Sequence, residues 1–312
     1  MTGDTWNSRT IRVHPGLLVI DKPRGPSSHQ VTAWVGEILG VPVGHAGTLD
    51  PGVSGVLVVM LGSAVRLAPV LLAEDKEYVC SLRTHGDVPH DRMQSVLQEF
   101  SGRLYQRPPR KSAVARNLRI RTVQEIELLD IRGRTVLLKI RCDAGTYIRS
   151  LCHHIGLALG TGAHMEELRR TLSGNFGEQN AVTLQELKDA VAIAEQGNPV
   201  LLEGMIRSPL EALGGLPRVT IRDSAVDAVC HGAALARTGI AASDRFDRGA
   251  TVVMMSGKGE LIGLGRSLVS SRDAETMTHG LVVAPSSVFM QPGTYPRGWK
   301  KAGTPSHPAH KR

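Results

Sequence analysis

The feature that most constrains this chain of 312 residues is a glycine-rich segment followed directly by an apolar run. The segment is Gly44–Gly55, and the run that follows it is Val56–Leu61. Because glycine permits backbone angles closed to other residues, the segment predicts an irregular loop, and the valine-rich run predicts a buried strand. Asp50 is therefore expected at the edge of a rigid element, where catalytic groups are commonly placed. An Asp-Pro-Gly sequence is also typical of a simple turn, so both interpretations stay open.

The composition indicates a globular protein with an anionic partner. Lys and Arg outnumber Asp and Glu by 37 to 29, and the hydrophobic fraction is 41%. Positive charge of this kind favours nucleic acid over a membrane as the partner. The sequence contains no long apolar run, no signal-peptide pattern and no Cys-x-x-Cys pair. These features predict a cytoplasmic protein with reduced thiols, no disulfides and no zinc.

Hydrophobic periodicity predicts a strand and then a helix before the loop. Leu17–Ile20 predicts a short strand, and Ser27 with Gln30 predicts a capping box at the helix start. The apolar residues expected on the buried face of this helix are Val31, Trp34, Val35, Ile38 and Leu39. Lys22 lies between the two elements. The sequence leaves three roles open for it: a solvated turn residue, a phosphate ligand, or a brace for the Asp50 loop.

The segment Lys76–Arg83 alternates as a strand does and places Tyr78, Cys80 and Leu82 on one face. A tyrosine in this pattern is most often a core aromatic. The chain has only 4 tyrosines, however, and a phenol at the start of a strand is well placed to stack on a nucleic-acid base. Both roles stay open for Tyr78.

Residues 103–121 form a stretch that is rich in cations and contains no acid. The cations are Arg103, Arg107, Arg110, Lys111, Arg116, Arg119 and Arg121. Their mutual repulsion requires an external anion, so the stretch favours an RNA or DNA backbone surface over an ordinary solvated face. Leu118 and Ile120 alternate with two of these arginines, which predicts a strand with one basic face.

A helix predicted to start at Thr146 places Arg149 in an unfavourable position. The apolar stripe of this helix is Ile148, Leu151, Cys152, Ile155 and Leu159. A cation near a helix start opposes the helix dipole, and a local rule broken without visible gain points to a functional site. Arg149 therefore needs an anion, and Asp50 is the leading candidate.

Two further segments supply candidate RNA contacts. Glu166–Gly174 predicts a short helix, and its Arg169 and Arg170 are candidate phosphate contacts. Residues 291–312 carry five Lys or Arg residues and no acid, with almost nothing to bury. This composition predicts a disordered tail with non-specific affinity for RNA.

Turn-rich sequence divides the chain. Gly214–Pro217 predicts a domain boundary. Beyond it, short strands, a helix capped by Ser224 and a hairpin across Ser256–Gly259 predict a compact barrel. The predicted regions are an N-terminal extension (1–13), a large domain (14–213), a small domain (214–290) and the tail (291–312).

Five short motifs are spread along most of the large domain, from Asp21 to Arg170. They are Asp21-Lys22-Pro23-x-Gly25, Gly44-His45-x-Gly47-Thr48-Leu49-Asp50-Pro51-x-x-x-Gly55, Lys76-Glu77-Tyr78, Gly145-Thr146-Tyr147-Ile148-Arg149 and Leu168-Arg169-Arg170. Taken together, they resemble the TruB/dyskerin family of pseudouridine synthases. The run Tyr105–Pro109 and the short basic tail resemble the archaeal members of the dyskerin branch, whose enzymes act with H/ACA guide RNAs. The small domain is similar to a PUA RNA-binding module.

The resemblance implies a fold and a set of roles. The fold is α+β: a mixed, mainly antiparallel sheet with flanking helices, plus a small β-barrel-like PUA domain. Asp50 would be the nucleophile, Arg149 would keep it ionised and aimed, and Tyr78 would stack on the base and help to remove the ring proton. Leu168 would form an apolar wall. His45 would fill the gap or brace the RNA when the uridine leaves its stack, or would be a buried structural histidine. The chemistry requires no redox step, metal or cofactor.

The resemblance also implies a function with open alternatives. It implies isomerisation of uridine to pseudouridine in tRNA, at T-loop uridine-55, and/or in rRNA, with H/ACA guide RNA and small partner proteins. Standalone action on tRNA is the close alternative. A non-catalytic RNA-binding scaffold is the alternative from another class. A base-excising glycosidase is disfavoured, because the motifs lack a second carboxylate to activate water.

Overall fold

The computed structural model of the chain describes residues 6–8, 11–107 and 117–296. This part of the chain divides into two compact units, a larger one that ends at Ala212 and a smaller one that begins at Leu213. The predicted RNA contacts Arg110 and Lys111, residues 297–312 of the predicted tail and part of the predicted N-terminal extension lie outside the described residues. Within the described residues, no helix is long and apolar enough to cross a membrane.

The larger unit combines a mixed sheet with flanking helices. Its strands are β1 (Trp6–Ser8), β2 (Ile11–Val13), β3 (Gly16–Lys22), β4 (Val43–Ala46), β5 (Val53–Leu61), β6 (Lys76–Thr84), β7 (Gly102–Gln106), β8 (Arg119–Arg132), β9 (Thr135–Cys142), β10 (Ala163–Ser173) and β11 (Phe176–Gly177). Its helices are α1 (Ser28–Leu39), α2 (Ala68–Ala73), α3 (His90–Glu99), α4 (Ile148–Leu159), α5 (Leu184–Glu195) and α6 (Val200–Met205).

The main sheet has the strand order β3-β5-β10-β6-β9-β8-β7, with β4 beside β5 and β11 beside β10. Strands β5 and β10 are parallel, and the other neighbours are antiparallel. This confirms the predicted mixed, mainly antiparallel sheet. Strand β5 has two successive neighbours on one edge: its residues 53–55 pair with β10, and its residues 58–61 pair with β4.

Local sequence explains the elements around the glycine-rich segment. The run Val56–Leu61 is buried within β5, as predicted. Helix α1 begins with the predicted capping box, in which the Ser27 hydroxyl accepts a hydrogen bond from the Gln30 amide and the Gln30 side chain accepts one from the Ser27 amide. It ends at Gly40, whose left-handed conformation (φ 65°) is one that glycine adopts without strain.

Three predictions about these elements are wrong. Glu166–Gly174 is not a helix, because all but its last residue lies in β10, which pairs along both edges with β5 and β6. Long-range pairing overrides the helix propensity of its Glu, Leu and Arg residues. Residues 43–46 form β4, so the irregular loop is confined to 47–52. Trp34 is 40% exposed, so the buried face of α1 is narrower than its apolar stripe.

Two apolar clusters hold the larger unit together. One joins α1 and α5 to β3 and β5, and the other joins α3 and α4 to β6, β8 and β9. In the second cluster, Ile148, Leu151, Cys152 and Ile155 of α4 are buried, as the predicted stripe requires. Cys80 of β6 and Cys152 of α4 meet there with their sulfurs 3.5 Å apart, and both thiols are free. The connection between β4 and β5 contributes no residue to either cluster.

The smaller unit is also built on one mainly antiparallel sheet. Its strands are β12 (Arg218–Ile221), β13 (Leu235–Ala236), β14 (Ile240–Ser243), β15 (Thr251–Ser256), β16 (Leu261–Ser267) and β17 (Leu281–Val288), in the order β13-β17-β16-β15-β12-β14. Its helices are α7 (Asp223–Cys230) and α8 (Ser271–Thr276). The predicted hairpin joins β15 to β16. The predicted cap is wrong: Arg222 precedes α7, and Ser224 lies within its first turn.

The first residues of the predicted tail belong to the smaller unit. Tyr295 is only 6% exposed, and its hydroxyl donates a hydrogen bond to Glu260. The amide of Gly293 donates a hydrogen bond of 2.8 Å to the carboxylate of Asp227. The expectation of disorder is therefore wrong for residues 291–296, because an aromatic ring among polar residues finds a place in the core.

Candidate active site

Asp50 lies on the connection between β4 and β5, where its side chain is 63% exposed. The backbone around it is held at alternate residues. Arg170 donates a hydrogen bond to the Gly47 carbonyl (2.8 Å). The Ser28 hydroxyl accepts one from the Leu49 amide (2.8 Å) and donates one to the Leu49 carbonyl (2.9 Å). The Gly25 amide donates to the Pro51 carbonyl (2.8 Å), and Lys22 donates to the Val53 carbonyl (2.7 Å). The loop backbone is therefore tied down while its carboxylate faces solvent.

Arg149 meets this carboxylate, as the sequence predicted. Its Nη2 lies 2.9 Å from Asp50 Oδ2, and its own side chain is 56% exposed. An exposed pair of this kind contributes at most about 1 kcal/mol to stability, so its main effect is to orient the two groups. The pair explains why a cation lies in the first turn of α4 despite the helix dipole.

The start of α4 is held by Gln106, not by the predicted cap Thr146. The residue before the helix is Tyr147, and Thr146 donates its hydroxyl to the Asp143 carbonyl instead. The buried Gln106 side chain accepts a hydrogen bond of 2.9 Å from the Tyr147 amide and donates one of 3.3 Å to the Tyr147 carbonyl. Gln106 lies at the end of β7, so the edge of the sheet sets the position of Arg149.

Lys22 is buried, which excludes the solvated-turn interpretation and leaves no access for a phosphate. Its ammonium donates to the carbonyls of Pro23 (2.9 Å) and Val53 (2.7 Å). Burial and then the charge of Arg170 lower the pKa of Lys22, whereas Asp50 raises it. Of the three roles left open by the sequence, the structure supports the brace for the Asp50 loop.

Tyr78 and Leu168 share one face of the sheet. Tyr78 pairs with Arg170, and Leu168 pairs with Cys80, so the register of β6 and β10 turns all four side chains to the side of α4. Burial raises the pKa of Tyr78 above its ordinary value, and the charge of the neighbouring Arg170 opposes part of that shift. The phenol is therefore neutral at pH 7.

His45 lies on β4 and is half-buried. Its Nε2 is 3.2 Å from the Thr48 hydroxyl, and its ring makes an edge contact with His29 at 4.8 Å between centroids. Burial, then His29 and Arg170, lower the pKa of His45. His45 is therefore a neutral ring that packs against the Asp50 loop.

The two adjacent arginines of β10 face opposite sides and are both engaged within the protein. Arg169 binds both oxygens of Asp21 (3.0 and 3.1 Å) and pairs with Glu178. Arg170 is 1% exposed and donates to backbone carbonyls. The predicted phosphate contact is wrong for Arg170, because its guanidinium is out of reach of an external ligand. For Arg169, two carboxylates already supply the anions that the prediction sought in RNA.

The described part of the basic stretch forms an exposed surface at the edge of the sheet. Arg107 follows β7 and is exposed. Tyr105 (67% exposed) pairs with Ile120 (39% exposed), and Leu118 beside them is 58% exposed. The predicted strand is present as the start of β8, but its apolar side is not buried. Cations and an exposed aromatic ring thus occupy one edge.

Two residues that hold the site were not singled out by the sequence. Ser28 follows the predicted cap Ser27 and is fully buried against Leu49. Gln106 is 2% exposed within a stretch chosen for its cations. The position of Ser28 inside the apolar-facing turn of α1 was a possible signal. Gln106 offered none, because its partner lies 41 residues away.

Family models match nearly the whole chain. Residues 38–148 match the TruB family pseudouridylate synthase N-terminal domain, and residues 149–213 match the tRNA pseudouridylate synthase B C-terminal domain. Residues 217–289 match the PUA domain. The Asp50 loop lies in the first of these regions, and Arg149 is the first residue of the second.

Relatives and solved structures agree. The chain is 50% identical over 297 residues to a probable tRNA pseudouridine synthase B of Methanothermobacter thermautotrophicus, covering 94% of this chain and 92% of that protein. It resembles a chain of a Cbf5–Nop10–Gar1 complex with 48% identity and a TM-score of 0.85, over 90% and 87% of the two chains. A chain of an H/ACA ribonucleoprotein bound to a substrate RNA containing 2′-deoxyuridine gives 46% identity and a TM-score of 0.84, over 91% and 88%. The chain therefore belongs to the TruB/dyskerin family of pseudouridine synthases, in its archaeal, Cbf5-like branch, and carries a PUA domain.

Proposed function

We propose that Asp50 is the nucleophile of this pseudouridine synthase. The observation that carries the proposal is the exposed Asp50 carboxylate, paired with Arg149 at 2.9 Å on a loop tied at alternate residues. The carboxylate attacks either the uracil ring or the anomeric carbon of a uridine. The bond from the sugar to the ring nitrogen breaks, the base rotates, and a bond to ring carbon forms. That carbon then loses its proton, the freed ring nitrogen gains one, and the bond to Asp50 breaks, which regenerates the carboxylate. Atoms and electrons therefore balance, and no oxidant or reductant is consumed.

The neighbouring side chains have complementary roles in this proposal. Arg149 orients the Asp50 carboxylate, because its guanidinium donates a charge-assisted hydrogen bond of 2.9 Å to one carboxylate oxygen. Tyr78 stacks on the everted base and assists removal of the ring proton, and Leu168 forms an apolar wall. His45, which is a neutral ring, fills the gap or braces the RNA when the uridine leaves its stack. Everting a base costs a few kcal/mol, and stacking on an aromatic ring returns roughly 1–3.

Contacts with the sugar-phosphate backbone of the RNA supply the remaining binding free energy. We assign this role to the basic edge of the sheet with Arg107, to Arg110 and Lys111, which lie outside the described residues, and to the PUA domain. Catalysis is assigned to residues 14–213 and further RNA binding to residues 214–290. Exposed Tyr105, two residues before Arg107, supports RNA as the ligand, because stacking and charge together suit unpaired nucleotides. The four cysteines are free and buried, which fits the cytoplasmic location expected from the composition.

The substrates we propose are tRNA, at the T-loop uridine-55, and/or rRNA, with an H/ACA guide RNA and small partner proteins. The solved relatives with bound partners and substrate RNA support the guided reaction, and the names of the curated relatives support the tRNA reaction. Purified protein should be given tRNA alone, and then rRNA fragments with guide RNA and Nop10- and Gar1-type partners. Pseudouridine that forms in tRNA without a guide identifies standalone action.

The role of Asp50 is tested with Asp50→Asn, which keeps the shape of the side chain and removes its charge. Asp130→Asn is a matched control, because Asp130 lies at the far end of β8 and pairs with Arg132. We expect Asp50→Asn to bind RNA normally and to form no pseudouridine, and Asp130→Asn to match the wild type. Normal turnover by Asp50→Asn contradicts the proposed nucleophile and returns Asp50 to the status of a turn residue.

A further inference from the structure

Arg170 occupies the point at which β5 changes its neighbour. Residues 168–170 of β10 pair with residues 53–55 of β5, and β4 pairs with residues 58–61, which leaves a gap in the ladder at Val56. The Arg170 Nε donates a hydrogen bond of 2.7 Å to the Val56 carbonyl. Its Nη2 donates one of 2.8 Å to the Gly47 carbonyl. The guanidinium thus occupies the place of the missing strand partner and joins Gly47, at the start of the Asp50 loop, to the strand that follows the loop.

The same residue lies beside Tyr78. Arg170 and Tyr78 are cross-strand partners, so their side chains lie next to each other on one face of the sheet. Within the described residues, the hydrogen-bond partners of the Arg170 guanidinium are two backbone carbonyls, not a carboxylate. A buried cation without a counter-charge is costly, and the buried Lys22 and Lys76 nearby add repulsion. Against this cost the cation supplies two hydrogen bonds, to the Gly47 and Val56 carbonyls, which connect the loop to β5.

Two glycines of the loop motif allow the backbone to approach Arg170 closely. Gly47 has φ +79°, and a Cβ there would lie 3.1 Å from Arg170 Nη1. Gly55 has φ +100°, and a Cβ there would lie 2.2 Å from the Arg170 carbonyl. Both positions need a backbone conformation that favours glycine, and both need the space. The spacing of glycines around Asp50 is thus matched to Arg170.

We propose that Arg170 is a positioning residue for the reaction, which holds the Asp50 loop and the Tyr78 phenol in one fixed relation without contacting RNA. The inference rests on the proposed roles of Asp50 and Tyr78. Only arginine suits this position, because its planar fork carries donors on three nitrogens that point in fixed, different directions. Lysine would keep the charge but would offer its donors from a single atom.

The test is Arg170→Lys, with Arg83→Lys as the matched control, because Arg83 lies on neighbouring β6 and binds Thr135 away from the loop. Two quantities are measured on full-length protein with substrate RNA: the dissociation constant, and the single-turnover rate at saturating enzyme per folded molecule. We expect Arg170→Lys to lower the rate about 10- to 100-fold with a dissociation constant within about twofold of wild type. Arg83→Lys should leave both within about twofold.

A purely structural role predicts a different result, in which the folded fraction falls and the rate per folded molecule does not. An unchanged rate, or a weaker dissociation constant with a normal saturating rate, overturns the proposal. The penalty of Arg170→Lys should also shrink in a Tyr78→Phe background, and an undiminished penalty contradicts the link to Tyr78. If Asp50→Asn remains active, the proposed nucleophile fails; if it is inactive while Arg170→Lys is normal, only this inference fails.

Gly47→Ala keeps the test valid if Arg170 variants do not fold. It retains every side chain of the site and disturbs the contact between the loop and Nη1 of Arg170. We expect a reduced saturating rate with unchanged RNA affinity. Combining it with Arg170→Lys, where that variant folds, should cost less than the two penalties added together. A normal rate for Gly47→Ala contradicts the proposal.

Discussion

The two halves of the Asp50–Arg149 pair are held by different means. The Asp50 loop has irregular backbone, and hydrogen bonds from buried polar side chains and from one backbone amide hold it in place. Arg149 lies instead on α4, whose apolar stripe is buried in the core between the sheet and α3. The polar side chain of Gln106 contacts the backbone at the start of that helix.

This difference has consequences for how each half tolerates change. Hydrogen bonds are directional, and a buried donor or acceptor that loses its partner costs about 1–3 kcal/mol. Apolar packing is not directional, and several side chains share it, so a helix can lose one contact and keep its place. Substitutions of residues that hold the Asp50 loop should therefore reduce the reaction rate more than substitutions of residues that hold Arg149, except at the guanidinium itself.

Among the residues that surround Asp50, Arg149→Ala should have the largest effect. Removing the cation beside a reacting carboxylate should lower the single-turnover rate by about 10²–10³-fold, the usual loss for one charge-stabilising group. RNA affinity should fall only modestly, since one exposed cation is removed from a large surface. Single-turnover kinetics and filter binding measure the two quantities. Arg132→Ala is the control, because it also breaks an exposed ion pair, with Asp130. A near-normal rate for Arg149→Ala would mean that the pair has no catalytic role.

The success of that pairing shows what local sequence can predict. Arg149 broke a rule of helix electrostatics, Asp50 lay in an isolated glycine-rich loop, and the two meet across 99 residues of sequence. The capping box and the strand Val56–Leu61 were also predicted correctly, because each depends on neighbours within a few residues.

Strand β10 shows where local sequence fails. Its Glu, Leu and Arg residues favour a helix, and nothing nearby in sequence reveals the two strands that pair with it. Arg169 and Arg170 are tolerated in a central strand because one finds carboxylates and the other finds carbonyls, all from distant segments. The same limit applied to the site. Arg170 was a candidate for phosphate, and Lys22 was a candidate for phosphate or for bracing the loop. Only the buried hydrogen bonds to the Val53 and Gly47 carbonyls show that both brace the loop.

Ser28→Ala should have the next largest effect. It removes both hydrogen bonds to Leu49, so a buried amide and carbonyl beside Asp50 lose their partner. We expect the free energy of unfolding to fall by about 2–4 kcal/mol and the single-turnover rate to fall by about tenfold or more. Urea unfolding and kinetics measure these quantities. Ser27→Ala is the control: it should cost about 1 kcal/mol as a lost cap and leave the rate unchanged. Equal rates for both variants would contradict the expectation that the reaction depends on the hydrogen bonds that hold the Asp50 loop.

Gln106→Ala should have a smaller effect on the rate than Ser28→Ala. Tyr147 loses both contacts to the amide, but the buried stripe of α4 still holds the helix. We expect a loss of about 1–3 kcal/mol of unfolding free energy and a rate reduced less than tenfold. Gln124→Ala is the control, since that exposed amide binds Asp143 near the same helix start. A rate loss larger than that of Ser28→Ala would reverse the proposed contrast between the two halves.

Lys76→Met probes the buried charge beneath the loop and should show the smallest effect at neutral pH. Lys76 is 4% exposed, and burial followed by Arg170 lowers its pKa from 10.5 to about 8. Between pH 8 and 10.5 the unfolded chain therefore binds more protons than the native chain, so this group makes the protein more stable as pH rises through that window. At pH 7 both states are protonated, and the penalty, on the order of 3 kcal/mol, is fully present.

Methionine removes that penalty but also the two hydrogen bonds to the Leu71 and Glu74 carbonyls, so the variant should differ little from wild type at pH 7. Between pH 8 and 10 the wild type should gain stability relative to Lys76→Met by about 1–3 kcal/mol, measured as urea unfolding free energy at each pH. Lys139→Met, on the exposed side of the same sheet, should show no such trend. A stability difference that is independent of pH would mean that Lys76 keeps its proton throughout this range. The pKa of Lys76 would then be lowered less than its burial and the neighbouring Arg170 imply.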